Sequence, residues 1–417
     1  MKKILILLCL FIAGNIYSQN KSIDWDADLD ILSEELSEKH CNLFAVESKD
    51  VFLDGINSIK SESQHLTDIR TALKVQQLIA KMGDSHTSLQ FYPLIDRNKV
   101  LPVNLFQTSD GLYIIRTTSK NKAILESRIL AINGFPIQTV IDSLSTLLTV
   151  DNRAIVKIGV PKLIPYLQIL EYFGFADKTM QVNLKLGSAA GGTENYVLRP
   201  AIMNRTNRVS FKPDSLAFCV KNERVFFTDC YYSYDKIYYM LYNECWSKEL
   251  ELKYGDKAEA ESMPSFKAFE KKSFKVLRNN DIEKIVFDLR YNGGGYSQQG
   301  TKFIEKLSRY LHGHPQIKVY VVIGRETFSS AILNAMDFKR LTNAVFVGEE
   351  TAGKPNHYGE VGTFQLPSSK LTVRYSTKFF KRTDEDLKTI MPDYTIEMSF
   401  RDLKTGIDPV IEWIKKQ

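Results

Sequence analysis

The sequence contains few cysteines and neither of the short motifs that commonly bind zinc. Only five of its 417 residues are cysteine, and no C-x-x-C or H-E-x-x-H pattern occurs. Such patterns place several ligands on one side of a tetrahedral zinc ion, so their absence argues against a structural or catalytic zinc site. We therefore expect no metal ion and no other cofactor.

The sequence also lacks a strong excess of charge of either sign. Lys and Arg number 55 against 49 Asp and Glu, which gives a net charge of +6; loss of Lys2 and Lys3 lowers it by two to +4. So small an excess, spread along the chain, is not the clustered basic surface that nucleic-acid binding requires. We expect no nucleic-acid partner.

Long hydrophobic runs are missing as well. Residues 1–19 combine Lys2 and Lys3, an apolar run over residues 4–13 and a short polar stretch with a small residue at Ser18. This pattern is typical of a cleaved secretory signal peptide. The run is too short to span a bilayer, and no later stretch approaches the 18 apolar residues of a transmembrane helix. The sequence thus predicts export to the periplasm or the extracellular space without a stable membrane anchor.

Export would place the cysteines outside the leader in an oxidising compartment. These are Cys41, Cys219, Cys230 and Cys245. An even number in an oxidising compartment allows one or two disulfides, and the spacing leaves their pairing open. The fifth, Cys9, lies inside the apolar run of the leader. That position argues against a lipid-modified cysteine at the cleavage point.

Three regions follow the leader, as expected for about 400 residues of which 44% are hydrophobic. Residues 20–92 carry apolar side chains at helical spacing, especially over 24–40 and 69–82, and predict a helical domain. Residues 98–200 contain short strand-like runs separated by glycine turns, which predict a β-rich domain. Residues 210–417 form the third region.

The third region is organised around residues 285–354. Three apolar runs, IVFDL, KVYVVI and AVFVG, each stop at a turn, and the two spans between them have apolar residues at helical spacing. Such runs are typical of strands buried on both faces of a parallel sheet. Right-handed crossovers bring the ends of parallel strands to one edge, so the turns at 292–295 and 327–330 are predicted to lie together. The fold class is therefore α/β with parallel central strands.

Ser329 stands at the start of the second predicted helix. The N–H groups and positive dipole of a helix N-terminus would stabilise an oxyanion beside its hydroxyl. The glycines at 293–295 follow the neighbouring strand and let bare backbone approach a substrate carbonyl. Each turn also has an ordinary explanation: Ser329 or Ser330 as a helix N-cap, and the glycines as a common turn or a phosphate cradle.

The motifs FDLRYNGGG, TFSSAI and VGEETAGK resemble three successive motifs of the carboxyl-terminal-processing, or tail-specific, serine protease family. The resemblance extends to MGDSHTSL at 82–89, RILAINGFPI at 128–137 and the closing GIDPV segment. It implies a crotonase-like catalytic domain over 210–417 and a PDZ-like insertion over 98–200. It also implies that Ser329, which lies 25 residues before Lys354, is the nucleophile. The N–H groups of Ser330 and Gly294 would then form the oxyanion hole.

The general base has two candidates. In the processing branch of the family it is the lysine, here Lys354, which would need a pKa several units below its usual value to accept a proton. In the tricorn-like branch it is a histidine in a segment like that around His86, and imidazole already titrates near neutral pH. The acid that orients this histidine lies six residues before a Pro-Asp pair, which here indicates Asp386. We place His86 before Lys354.

The function predicted from the sequence is an exported serine endopeptidase that cleaves polypeptides through an acyl-enzyme. Its alternative is a non-catalytic peptide- or lipid-binding module on the same fold, because fold does not determine function. An intact serine, a glycine turn and two candidate bases favour the enzyme.

Overall fold

The computed structural model describes residues 22–188 and 191–417. The predicted signal peptide at residues 1–19 lies outside this part of the chain and stays a prediction. Across the described residues, no helix is both long enough and apolar enough to cross a membrane. The four cysteines of this part, Cys41, Cys219, Cys230 and Cys245, are all free thiols.

The N-terminal region is helical, as its apolar spacing predicts. Asp24 and Ser48 begin the first two helices because their side-chain oxygens accept hydrogen bonds from backbone N–H groups of the first turn. The buried face of each helix carries its leucine and isoleucine side chains. The elements are α1 (Trp25–Lys39), α2 (Lys49–Ser63), α3 (Asp68–Lys81) and the short strand β1 (Ser88–Leu89), followed by the 3-10 turns Tyr92–Leu94 and Arg97–Lys99.

The second region is an antiparallel sheet with helices inserted between its strands. The strand order is β2-β3-β4-β6-β7, with β5 paired to β4 and β8 paired to β3. Its strands are β2 (Val103–Thr108), β3 (Gly111–Thr118), β4 (Arg128–Ile132), β5 (Phe135–Pro136), β6 (Val182–Gly187), β7 (Thr193–Leu198) and β8 (Arg208–Ser210). Its helices are the 3-10 helix Ser119–Ile124, α4 (Ile137–Ser145), α5 (Arg153–Leu163) and α6 (Leu167–Tyr172).

The third region contains a six-stranded sheet flanked by helices. Its strands are β9 (Phe227–Tyr232), β10 (Ile237–Tyr242), β11 (Lys284–Asp288), β12 (Lys318–Ile323), β13 (Val345–Gly348) and β16 (Tyr394–Thr395), and a separate hairpin consists of β14 (His357–Gln365) and β15 (Thr372–Phe380). The helices are α7 (Phe218–Lys221), α8 (Lys248–Tyr254), α9 (Lys257–Ser262), α10 (Phe266–Asn279), α11 (Ser297–His312), α12 (Ser330–Leu341), α13 (Phe400–Thr405) and α14 (Pro409–Lys415).

The strand order of this sheet confirms the predicted parallel core. The order is β16-β13-β12-β11-β10-β9, and every neighbouring pair is parallel except β10 with the edge strand β9. Alternate residues of β11 face opposite clusters: Ile285 and Phe287 pack with α10 to α12, whereas Val286 packs with α7 and α14. Burial on both faces explains why these strands have continuous apolar sequences.

The hairpin of β14 and β15 joins the third region to the N-terminal helices. Strand β1 pairs with β15, with Ser88 opposite Arg374 and Leu89 opposite Val373. The carboxylate of Asp28 in α1 accepts hydrogen bonds from the backbone N–H groups of Ser368 and Ser369 at the hairpin turn. These contacts bring the segment just before β1, which contains His86, to the third region.

Candidate active site

Ser329 occupies a strained position between β12 and α12. Its backbone has φ 53° and ψ −122°, values that cost a non-glycine residue about 1–3 kcal/mol and that recur at functional sites. The side chain makes no cap hydrogen bond to its helix. A serine on a sharp strand-to-helix turn is presented above the sheet edge, the position that the nucleophilic serine has in α/β-hydrolases.

Ser330 differs from Ser329 in having its hydroxyl already engaged. Its Oγ donates to the carbonyl oxygen of Gly295 at 2.6 Å, and the residue is only 7% exposed. The structure thus separates two adjacent serines that look equivalent in sequence. Ser330 links α12 to the glycine turn, while the hydroxyl of Ser329 remains available.

The two turns lie together at one edge of the parallel sheet, as predicted. The hydroxyl of Thr327 donates to the carbonyl oxygen of Leu289 at 2.8 Å, and the N–H of Phe328 donates to the carbonyl oxygen of Asn292 at 3.0 Å. Both bonds connect the end of β12 to the end of β11. They keep Ser329 in register with the glycine turn.

Gly294 lies against Ser329, but the N–H of Gly294 is directed at the side chain of Asn292. A Cβ at this position would approach Ser329 Cβ to 2.8 Å, and the φ of +114° also favours glycine. The N–H of Gly294 donates to Oδ1 of the buried Asn292 at 2.9 Å, so it is not available for the predicted oxyanion hole. Among the described residues, the N–H groups of Gly295 and Ser330 have no hydrogen-bond partner.

His86 lies beside the serine turn, because its ring stacks on Phe328 with 4.5 Å between ring centroids. Neither ring nitrogen has a hydrogen-bond partner among the described residues, although the side chain is buried. Burial lowers the pKa of His86 to about 4, and the nearby carboxylate of Asp84 opposes this effect. The imidazole is therefore neutral, and able to accept a proton, at pH 7.

The carboxylate near His86 is Asp84, which the sequence reasoning did not identify. Its Oδ1 accepts the backbone N–H of His86 at 2.9 Å and lies 3.9 Å from the ring Nδ1. Its Oδ2 accepts hydrogen bonds from Nε2 of His40, at 3.0 Å, and from the hydroxyl of Thr87. These hydrogen bonds keep the pKa of Asp84 well below its usual range despite burial. The only signal in the sequence was its position two residues before His86.

His357 is a second residue that the sequence reasoning missed. Its ring, from a different region of the chain, also stacks with that of His86, with 5.8 Å between centroids. Its Nδ1 lies 2.9 Å from the carbonyl oxygen of Lys354, and burial lowers its pKa. His357 thus connects the end of the VGEETAGK motif, at Lys354, to the ring of His86.

Lys354 itself forms an ion pair with the second region. Its Nζ lies 2.9 Å from Oδ1 of Asp151, and both side chains are nearly buried. The following residue, Asn152, fixes the same loop by donating to the carbonyl oxygens of Ala352 and Lys388. The amine of Lys354 is thus engaged by a carboxylate, which opposes a role as proton acceptor.

The structure does not bring Asp386 to His86. The carboxylate of Asp386 is exposed and lies 2.8 Å from Nζ of Lys388. The hydrogen bond from Lys388, together with its charge, lowers the pKa of Asp386. Asp386 therefore occupies a surface ion pair. Elsewhere in the described residues, no group of three or more His, Cys, Asp or Glu side chains is arranged to bind a metal ion.

Comparison with known proteins gives similarity at the level of structure. No family model matches the sequence, and no curated protein does. The chain is similar to mature CPAF complexed with lactacystin, with 12% identity, a TM-score of 0.61, and coverage of 94% of this chain and 97% of that one. A second structure of mature CPAF gives 13% identity, a TM-score of 0.58, and coverage of 93% and 95%. This chain and CPAF share a mixed α/β fold along nearly their whole length.

The solved structures that match also include the photosystem II D1 C-terminal processing protease. It is 13% identical, covers 89% of this chain and 93% of its own, and has a TM-score of 0.38.

Proposed function

We propose, from the mixed α/β fold that this chain shares with CPAF and from the geometry around Ser329, that the protein is a serine endopeptidase. The observation that carries the proposal is the strained backbone of Ser329 at the start of α12, where its hydroxyl has no cap hydrogen bond. His86, a buried imidazole with no hydrogen-bond partner among the described residues, stacks on the adjacent Phe328. A nucleophile and a neutral base next to unpaired N–H groups are the requirements of acyl transfer.

In the proposed reaction, Ser329 Oγ attacks the carbonyl carbon of a peptide bond while its proton passes to His86. The oxyanion accepts hydrogen bonds from the N–H of Ser330 and from the glycine turn. We assign the second donor to Gly295 in place of Gly294, because the Gly295 amide has no partner among the described residues and the Gly295 carbonyl oxygen is bonded to the hydroxyl of Ser330. His86 then protonates the leaving amine, and a water molecule hydrolyses the acyl-enzyme to release a carboxylate.

We assign the base to His86 and not to Lys354. The amine of Lys354 lies against Asp151, whereas His86 is neutral near pH 7 because burial lowers its pKa. Asp84 is the acid that we assign to His86 in place of Asp386. Although Asp84 accepts no hydrogen bond from the ring, its hydrogen bond to the His86 backbone and its negative charge position and polarise the imidazole.

We also propose that the enzyme is exported and acts on polypeptides. The pattern of residues 1–19 supports export, and the parallel sheet with crossover helices supports a crotonase-like catalytic domain. The antiparallel sheet of the second region, with β2 at one edge, supports a PDZ-like domain that could add an extended peptide to that edge.

Hydrolysis of a library of fluorescence-quenched peptides tests the proposed function. We expect cleavage by the purified protein, none by Ser329→Ala, and substantial activity in Ser330→Ala, whose lost hydroxyl only contacts Gly295. Thermal unfolding checks that both variants fold. Activity that persists in Ser329→Ala contradicts the nucleophile assignment, and a folded wild-type protein that cleaves nothing supports the non-catalytic binding module.

A further inference from the structure

A cavity of about 350 Å³ lies beside the serine turn, between α5 and the segment that carries His86. This volume is at the lower end of the range for ligand-binding pockets, and it suits one large side chain. Its walls are mainly apolar, and we call it the apolar pocket. The apolar side chains that line it are Leu147, Leu148, Ile155, Ile158, Phe328 and Ala352.

Three polar side chains in the wall of the apolar pocket are already hydrogen-bonded within the protein. Gln76 donates to the carbonyl oxygen of Leu147 and accepts the N–H of Leu89, each at 2.8 Å. The hydroxyl of Thr87 donates to Asp84, and that of Ser88 accepts from Gln90. A polar side chain that entered the pocket would lose its water without gaining these groups as partners, which is unfavourable.

Lys162 and Glu326 also line the pocket and carry opposite charges. Neither forms an ion pair with a described residue at 4 Å or less. Because the two charges have opposite signs, the described lining has no net charge that would select a charged side chain of one sign. The composition of the pocket therefore favours an apolar occupant.

The position of the pocket relative to Ser329 indicates which part of a ligand occupies it. Phe328 immediately precedes Ser329 and forms part of the wall, whereas no residue of the glycine turn at 293–295 lines the pocket. Consider a peptide whose carbonyl carbon lies at Ser329 Oγ and whose carbonyl oxygen points toward the glycine turn. The side chain of the residue that supplies this carbonyl would then lie on the Phe328 side.

We infer that the apolar pocket binds the side chain of the residue that supplies the carbonyl of the cleaved bond, and that it selects large apolar side chains such as Leu, Met and Phe. This inference rests on the proposed function. It assigns a specificity role to α5 of the second region, which supplies Ile155 and Ile158.

Peptidyl diphenyl phosphonates test the inference because their side chain occupies the position in question. Ser329 Oγ displaces phenoxide from phosphorus and its proton passes to His86. We expect reagents with Leu or Phe side chains to inactivate the protein at least about tenfold faster than the Ala reagent, and those with Glu or Lys to be slower still.

The outcomes separate this inference from the proposed function. If an alkyl fluorophosphonate modifies Ser329 but the five phosphonates react at similar rates, or the charged ones react fastest, the pocket assignment is wrong and the nucleophile stands. If no reagent modifies Ser329, the proposed function itself is overturned.

Two substitutions on the same helix provide a matched pair. Ile158→Trp should fill the pocket and reduce the rate ratio of Leu to Ala reagents to near one. Val156→Trp should preserve this ratio, because Val156 lines a different cavity on α5. Ile158→Ala gives a milder test: it should enlarge the pocket and raise the rate of the Phe reagent relative to the Leu reagent. Unchanged ratios in the folded Ile158 variants, or an equal change in Val156→Trp, overturn the assignment.

Discussion

The imidazole of His86 stacks on the ring of Phe328, with 4.5 Å between centroids and 25° between ring planes. This contact links the proposed base, from the N-terminal region, to the residue that precedes the proposed nucleophile. The ring of His357 also stacks with the imidazole, with 5.8 Å between centroids. The orientation of His86 thus depends on the docking of two regions that lie far apart in sequence.

The first prediction concerns the base. His86→Ala should lower kcat/KM for peptide cleavage by about 10²–10⁴, the usual contribution of general base catalysis. Lys354→Met should lower it far less, because the amine serves to pair with Asp151. Steady-state kinetics on both variants measure the difference.

The Lys354 variant needs a stability control. Removing the amine leaves the nearly buried Asp151 unpaired, which costs about 3–5 kcal/mol when such a pair is broken. The double variant Lys354→Met/Asp151→Asn should recover much of this stability in thermal or urea unfolding. A folded Lys354→Met protein without activity, together with near-normal His86→Ala, would establish a Ser/Lys dyad instead.

The second prediction is a low acid limit of activity. Burial lowers the pKa of His86 to about 4, and the base must be neutral to act, so kcat/KM should fall only as the pH drops through about 4. Protonation of His86 also favours the unfolded chain, in which its pKa is near 6.5. The stability that comes from keeping His86 neutral is therefore fully present above pH 6.5 and is lost as the pH falls through about 4.

A pH–rate profile, with thermal unfolding recorded at each pH, tests this second prediction. An acid limb near pH 6.5 would mean that the imidazole is more solvated than its burial implies. A profile that rises into the alkaline range would indicate a lysine base.

The third prediction compares two aspartates. Asp84→Asn should lower kcat/KM by at least about tenfold, as loss of the acid beside a catalytic histidine does. It should also move the acid limb to lower pH, because the negative charge of Asp84 raises the pKa of His86. Asp386→Asn should leave both quantities nearly unchanged, since the side chain of Asp386 is exposed and pairs with Lys388. A reversed pattern would restore Asp386 as the orienting acid.

The fourth prediction uses adjacent glycines. Gly294→Ala should impair both folding and cleavage, because its Cβ would lie 2.8 Å from Ser329 Cβ and its φ is +114°. Gly293→Ala should be nearly neutral, because a Cβ at that position has no neighbour within 4 Å. Equal activity of the two variants, measured alongside their unfolding temperatures, would show that the glycine turn does not closely contact Ser329.

The parallel sheet could be predicted from sequence because its determinants are local. Strands β11 and β12 are buried on both faces and so have continuous apolar runs, while α11 and α12 show helical spacing and begin where the turns end. The predicted helix over 24–40 is observed as Trp25–Lys39. Burial and periodicity decide these elements within a few residues of chain.

The surroundings of the base could not be predicted, because they form between distant segments. His40 reaches Asp84 from the end of α1, and Asp151 reaches Lys354 across about 200 residues of sequence. The indication of Asp386 came from spacing in a resembling family, and spacing carries no information on whether a side chain is exposed. Likewise, the sequence does not show that the buried side chain of Asn292 accepts a hydrogen bond from the N–H of Gly294.

The most direct test of the central claim is the mapping of a fluorophosphonate adduct by tandem mass spectrometry. At neutral pH we expect one adduct, on Ser329, with labelling retained in Ser330→Ala and strongly reduced in His86→Ala. The result that would contradict the account is a folded protein whose adduct lies on Ser330 or another residue, or one that carries no adduct at all.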